Sequence, residues 1–256
     1  MADAATPRDA SPSTSPGLLV ERPGKDGIRV ITLNRPNRRN ALDTALLGRL
    51  LLELAVAHDD RQVRALVLRA EGPAFCAGGD TKEFDGRPDA RELMAIRAHL
   101  LAEVLVSIRR HRCPVAAAVH GAALGAGAAI ALAADFTVAE PRAEFGFPEF
   151  GHSVVPSIVL PVLAYQIQLK LAFDVLTTGR RLDAAAALAA GMVSRVSEPG
   201  SHVEEAVAVA RRWAAVDPVV AQETKRLLYY ARGSSSMEDA MQAGLAVTAA
   251  TWRPAV

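Results

Sequence analysis

The stretch from His120 to Asp135, His-Gly-Ala-Ala-Leu-Gly-Ala-Gly-Ala-Ala-Ile-Ala-Leu-Ala-Ala-Asp, limits what this chain can fold into more than any other. Apolar runs of strand length flank it, Pro114 to Val119 before and Phe136 to Ala139 after, so it reads as a helix between two strands. Small residues from 121 to 129 let backbone approach backbone, and Gly121, Gly125 and Gly127 suit a strand that turns sharply into a helix start. Such a turn aims free N–H groups, with the positive end of the helix dipole behind them, at whatever negative charge lies above. On this stretch alone two readings stand side by side: an anion or oxyanion site, and tight helix packing without a ligand.

A second stretch favours the site. Ala65 to Ala70 reads as a buried strand, and it too runs into a glycine-rich loop, Gly72-Pro-Ala-Phe-Cys-Ala-Gly-Gly-Asp-Thr-Lys-Glu-Phe84. A third motif, Phe145-Gly-Phe-Pro-Glu149, follows. Asn34-Arg-Pro-Asn-Arg-Arg-Asn-Ala-Leu42 stands near the start, and Thr178-Gly-Arg180 through Gly191-Met-Val193 near the end. In this order and at about this spacing, the chain from roughly residue 17 to 230 resembles the enoyl-CoA hydratase/isomerase (crotonase) superfamily.

The resemblance implies an α/β fold, a crotonase-like spiral of ββα turns over residues 17–196, with a helical C-terminal portion over 197–256 that packs on neighbouring subunits in a homotrimer or dimer of trimers. No internal sequence repeat shows the spiral independently. Residues 1–16, rich in Ser, Pro and Ala, read as a disordered tail. Leu18 to Arg22 and Ile28 to Leu33 form a hairpin around Gly24 to Gly27, and a leucine-rich helix follows from about Thr44 to Ala57. Ala90 to Arg110 is an amphipathic helix whose polar face carries Arg91, Glu92, Arg97, His99 and Glu103. The family borders its acyl pocket with this helix, although a solvated face is the plainer reading of each of those charges. Leu182 to Ala190 reads as helix and Met192 to Val196 as strand, before helices over 203–215, 218–231 and 237–251.

Composition narrows the function. Of 256 residues 50% are hydrophobic, ample for a sizeable core, while 29 basic and 28 acidic residues leave a formal charge of +1, with no field to favour nucleic acid or an anionic membrane. Cys76 and Cys113 form no Cys/His cluster, which points to a reducing compartment and no structural zinc. With no apolar run of membrane-spanning length and no signal-like start, a soluble cytoplasmic protein is expected. No metal and no cofactor are expected either, coenzyme A entering as part of the substrate.

An acyl-CoA thioester that loses its α-proton, or accepts a nucleophile at its β-carbon, becomes an enolate with charge on the thioester oxygen. Two pre-aimed backbone N–H groups hold such a charge, and losing one donor typically costs about 3 to 4 kcal/mol. By motif position the donors are Gly79 and Ala126, and Glu149 falls on the family's second catalytic glutamate. Flanked by Phe147, Phe150 and Val154, its carboxyl is expected to have a raised pKa. The CoA ester is expected along Arg38, Arg39, Ala41, Ala77, Gly79, Asp80, Ala126 and Pro148, the bland alternative for the arginine pair being a solvated loop.

One departure matters: the family's first glutamate would stand two residues after Gly127, and Ala129 is there instead. Hydration conventionally uses both carboxyls, whereas one acid/base suffices to shuttle a proton between two carbons. Isomerase-type chemistry therefore fits the residues best. A hydratase with a recruited second acid (His152, His99 or Glu103) and a non-catalytic acyl-CoA binding protein remain the alternatives.

Overall fold

The computed structural model describes residues 13–15 and 17–251. The first described elements are β1 (Ser13–Ser15), β2 (Gly17–Glu21) and β3 (Ile28–Asn34), with β2 antiparallel to both of the others. The expected hairpin is present, closed by Gly27 N–H donating to the Gly24 carbonyl at 2.9 Å. Most of the expected tail lies outside the described residues, but Ser13–Ser15 within it is a strand, because β2 offers a free edge for it to pair.

Helix α1 (Thr44–Asp59) starts where the Asp43 carboxylate caps the Leu46 N–H at 2.8 Å, and it buries Leu46, Leu47, Leu50 and Leu54. Strand β4 (Ala65–Ala70), helix α2 (Ala90–Arg110) and strand β5 (Val115–Val119) follow, each close to its expected bounds. The segment from His120 to Asp135 then holds more than a helix. It gives a short strand β6 (Ala122–Leu124) before α3 (Ala126–Ala133), and β7 (Phe136–Ala139) and β8 (Glu144–Gly146) come after. Helices α4 (Leu160–Gln166) and α5 (Leu169–Thr178) precede β9 (Leu182–Asp183), α6 (Ala184–Ala189) and β10 (Arg195–Val196). The strand expected over Met192 to Val196 is thus confined to its last two residues, since Met192 and Val193 donate instead to the carbonyl of Ala187 at the end of α6. The C-terminal portion is α7 (His202–Ala214), α8 (Pro218–Gly233) and α9 (Met237–Thr251).

The strands form two sheets. The large one runs β1-β2-β3-β4-β5-β7-β10, parallel from β3 onward, and the small one runs β6-β8-β9. Two isolated parallel bridges, Leu42 to Gly79 and Cys76 to Ala123, continue the small sheet backwards along the chain. Each turn of chain therefore adds one strand to the large sheet and one short extended segment to the small one, then crosses back through a helix. This stacking is the spiral, an α/β core with a helical C-terminal part.

Both faces of the large sheet are buried. Val115, Ala117 and Val119 of β5 join the main core, while Ala116 and Ala118 face Ala206 and Ala210 of α7 in a second cluster. Alanine on both sides of that contact lets helix and sheet approach closely, and the fully buried strand reads as a continuous apolar run. Among the described residues no helix is long and apolar enough to cross a membrane.

Candidate active site

The small sheet sets residues 76–79, 122–124 and 144–146 side by side. The residues just beyond line one cavity of about 820 Å³, a common size for a ligand site. Arg38, Arg39, Ala41, Ala77, Gly79, Asp80, Ala126, Pro148 and Glu149, all singled out from sequence, lie on its wall. Arg38 and Arg39 are exposed and stand at its rim.

Two residues of this wall carry backbone N–H groups that the secondary structure around them does not engage. In the parallel bridge, Leu42 N–H donates to the Gly78 carbonyl and Asp80 N–H donates to the Leu42 carbonyl, both at 2.8 Å. The Gly79 N–H between them is left out of that ladder. Ala126 is the first residue of α3, where helix geometry provides no intrahelical acceptor for its N–H. Gly125 before it has φ 49° and ψ −118°, a conformation that needs glycine, and donates to the Gly146 carbonyl at 2.8 Å. Gly127 allows the start of α3 to press on the other loop, since a β-carbon there would lie 2.5 Å from both Cβ and the carbonyl oxygen of Cys76.

Glu149 stands on the turn that carries the chain away from β8, its carbonyl accepting from His152 and Val154 N–H at 3.0 Å each. Its side chain is half-buried, Oε2 is buried without a hydrogen-bond partner, and burial holds its pKa above the ordinary carboxylate value, opposed by its own backbone and by His152. The expected flanking residues need correcting. Val154 does line the cavity, but Phe147 turns into the core at 1% exposure and Phe150 turns outward at 56%, because the helical turn at Phe150–His152 rotates it away.

The position of a second carboxyl is occupied by the methyl group of Ala129, fully buried in α3. Of the three candidates for a replacement acid, His152 lines the cavity, whereas His99 and Glu103 are exposed on α2 and do not. Among the described residues no group of three or more His, Cys, Asp or Glu is placed to hold a metal.

Two residues have roles that their sequence neighbourhood did not declare. Asn40, fully buried with φ 54°, accepts from Arg35 N–H at 2.7 Å and donates to the carbonyls of Glu71 and Ala74, both at 2.8 Å, so it ties the first loop to the second. The tolerance of asparagine for left-handed backbone was the available signal. Arg97, grouped with the solvated face of α2 from sequence, instead turns inward and lines the cavity. Asp80 lines it too, while its carboxylate pairs with Arg35 at 3.2 Å.

Stacked ββα turns with the loops of three successive turns opening on one cleft define an enzyme frame of the crotonase type. The chain belongs to the enoyl-CoA hydratase/isomerase family, whose model matches residues 24–249. It is 34% identical over 230 residues to the 2,3-dehydroadipyl-CoA hydratase of Escherichia coli, covering 90% of this chain and 86% of that protein. It is also 32% identical over 222 residues to the mitochondrial enoyl-CoA hydratase domain-containing protein 3 of Rattus norvegicus, covering 87% of this chain and 73% of that one. Among solved structures, an enoyl-CoA hydratase of Mycobacterium smegmatis superposes with a TM-score of 0.87 at 32% identity, over 92% of this chain and 91% of the other.

Proposed function

We propose that the protein is an acyl-CoA enzyme that moves a proton between two carbons of an enoyl chain. The thioester oxygen lies on the N–H groups of Gly79 and Ala126. The Glu149 carboxylate takes a proton from C2 of a 3-enoyl-CoA, the developing charge passes to the thioester oxygen, and the carboxylic acid returns the proton at C4 to give the 2-enoyl-CoA. Substrate and product have the same atoms, so no co-reactant is required. The observation that carries this reading is the half-buried Glu149 carboxyl, one oxygen unpartnered, on the wall of the cavity, while Ala129, where the resemblance places a second carboxyl, is buried in α3 and offers no acid. One group that both takes and gives the proton suffices for isomerisation, and its pKa is shifted in the direction that return of the proton requires.

The test is turnover of a panel of acyl-CoA thioesters by the wild type and Glu149→Gln. A 3-enoyl-CoA should be isomerised, and the variant should lose about 10²- to 10⁴-fold in kcat. Unchanged turnover in the variant, or binding without turnover of any thioester, eliminates the reading. Hydration is the second reading, supported by His152 on the cavity wall and by the names of the relatives. It requires crotonyl-CoA hydration that depends on both Glu149 and His152. Assembly as a trimer or dimer of trimers belongs to the same proposal: Leu169 and Phe173 of α5 and Leu228 of α8 are 73%, 70% and 66% exposed and supply apolar faces for it. Sedimentation equilibrium reads it directly.

A further inference from the structure

Arg97 is a cation set into the wall of the cavity beside Met94, Ala98 and Leu101 of α2, its side chain only 12% exposed. A β-carbon on Gly79 would lie 3.0, 3.1 and 3.3 Å from its Nη2, Cζ and Nη1, so the flat of the guanidinium faces the Gly79 backbone. It also stacks on the Phe84 ring, with Cζ 4.2 Å from the centroid. A planar fork held by its faces is pre-organised to donate along its edges.

The edges are only partly used. Nη1 donates to the Asp80 carbonyl at 2.8 Å and stands 3.8 Å from Glu83 Oε2, while Nη2 reaches, among the described residues, only the sulfur of Met94 at 3.6 Å. The nearby carboxylates are engaged elsewhere. Glu83 accepts the Thr44 N–H at 3.0 and 3.1 Å, Asp80 pairs with Arg35 at 3.2 Å, and Asp43 pairs with Arg35 at 2.9 Å while capping α1. Burial lowers the pKa of Arg97, and the charges of Glu83, Asp80 and Asp43 oppose that shift. Carboxylate is the anion whose geometry matches a guanidinium edge in two parallel hydrogen bonds.

We infer that Arg97 selects acyl chains that carry a carboxylate, so that the substrate is the CoA monoester of a dicarboxylic acid rather than a plain fatty acyl chain. The inference rests on the reading that the cavity holds an acyl-CoA thioester. It deepens that reading by naming the substrate class, and it is independent of which reaction follows.

Calorimetric binding of adipoyl-CoA and hexanoyl-CoA, saturated esters that differ in the terminal carboxylate and that the proposed proton transfer leaves unchanged, tests it. The wild type should bind adipoyl-CoA about tenfold or more tightly than hexanoyl-CoA, consistent with the strength of hydrogen bonds between charged partners. Arg97→Met should erase that ratio and Arg97→Lys should retain part of it. Equal affinity of the wild type for both esters, or an undiminished ratio in Arg97→Met, overturns the inference. If Arg97→Met does not fold, the wild-type ratio and its decline with added salt decide the matter alone. A retained ratio in a protein that isomerises no 3-enoyl-CoA sinks the proton-transfer reading and leaves this one. Isomerisation without a ratio does the reverse.

Discussion

The Glu149 carboxylate lies so close over Gly125 that a β-carbon on that glycine would stand 2.5 Å from Oε1. The residue that turns the chain into α3, and so aims the Ala126 N–H, is therefore also the floor on which the carboxyl rests. Gly125→Ala should strike both parts of the site together. The backbone at φ 49° would be strained by on the order of 1 to 3 kcal/mol, and the carboxylate, the flexible end of its side chain, would be pushed off its seat. The expected outcome is a folded protein with a modestly lower Tm and a kcat reduced well beyond what the stability loss explains. Wild-type kcat in Gly125→Ala would show that Glu149 works from another position.

Glu149 also links activity to stability through pH. Its folded-state pKa lies above the ordinary carboxylate value of 4.5 because burial disfavours the anion. The folded state thus holds its proton to higher pH than the unfolded chain does. The favourable contribution of the protonated form is present below about 4.5 and is lost as pH rises through the folded-state pKa. Glu149→Gln, neutral throughout, should be more stable than the wild type near neutral pH, and the difference should vanish in acid. Urea titrations of both proteins at pH 4 and pH 7.5 check the sign. A variant less stable at neutral pH would mean that the carboxylate is held by a partner rather than penalised by burial.

The parts legible in sequence are those whose signal is local. The apolar run Ala65–Ala70 and the periodicity of Ala90–Arg110 announce a buried strand and an amphipathic helix from their own residues, and the structure keeps both bounds. Strands β6, β8 and β9 are two or three residues long and exist because a distant segment lies alongside, so no window of sequence contains them. The same holds within the cavity. Gly79, Ala126 and Glu149 stand out in sequence because their motifs are distinctive, and the structure brings them to one wall. Arg97 was assigned to solvent because a helical wheel shows which residues share a face, not that the loop from Gly79 to Phe84 folds over that face.

The C-terminal helices are fastened to the core by a buried ion pair. Lys225 of α8 stands 2.7 Å from the Asp135 carboxylate and donates to the carbonyls of Ile108 and Cys113 at 3.0 and 3.3 Å, while Tyr229 donates to Asp135 at 2.6 Å. Removing one partner of a buried pair leaves the other charge uncompensated, at about 3 to 5 kcal/mol. Lys225→Ala should lose stability in that range by urea unfolding. In both variants Asp135 keeps its bonds from Tyr229 and from Val115 N–H at 2.7 Å, but Lys225→Met also keeps the packing of the stem, so it should lose less. Equal losses would assign the whole effect to the missing charge and none of it to the packing of the stem.

Beside the same lysine sits His111, 2% exposed, with Nδ1 accepting the Cys113 N–H at 3.1 Å and Nε2 buried without a partner. Burial first, and then the positive charge of Lys225, push its pKa from 6.5 down to about 3, so the folded protein keeps this imidazole neutral. The unfolded chain binds a proton near pH 6.5 and the folded chain does not, so stability rises with pH across this window. The contribution is fully present above about 6.5 and is lost progressively as pH falls toward 3. His111→Gln, which cannot take up that proton, should show a flatter decline of unfolding free energy between pH 6.5 and pH 4 than the wild type. Carboxylates titrating in the same range act on both proteins alike, so the difference between the two curves isolates the imidazole. Parallel curves would mean that His111 gains its proton without leaving the fold, which requires that the α2–β5 corner open to water before the rest of the domain unfolds.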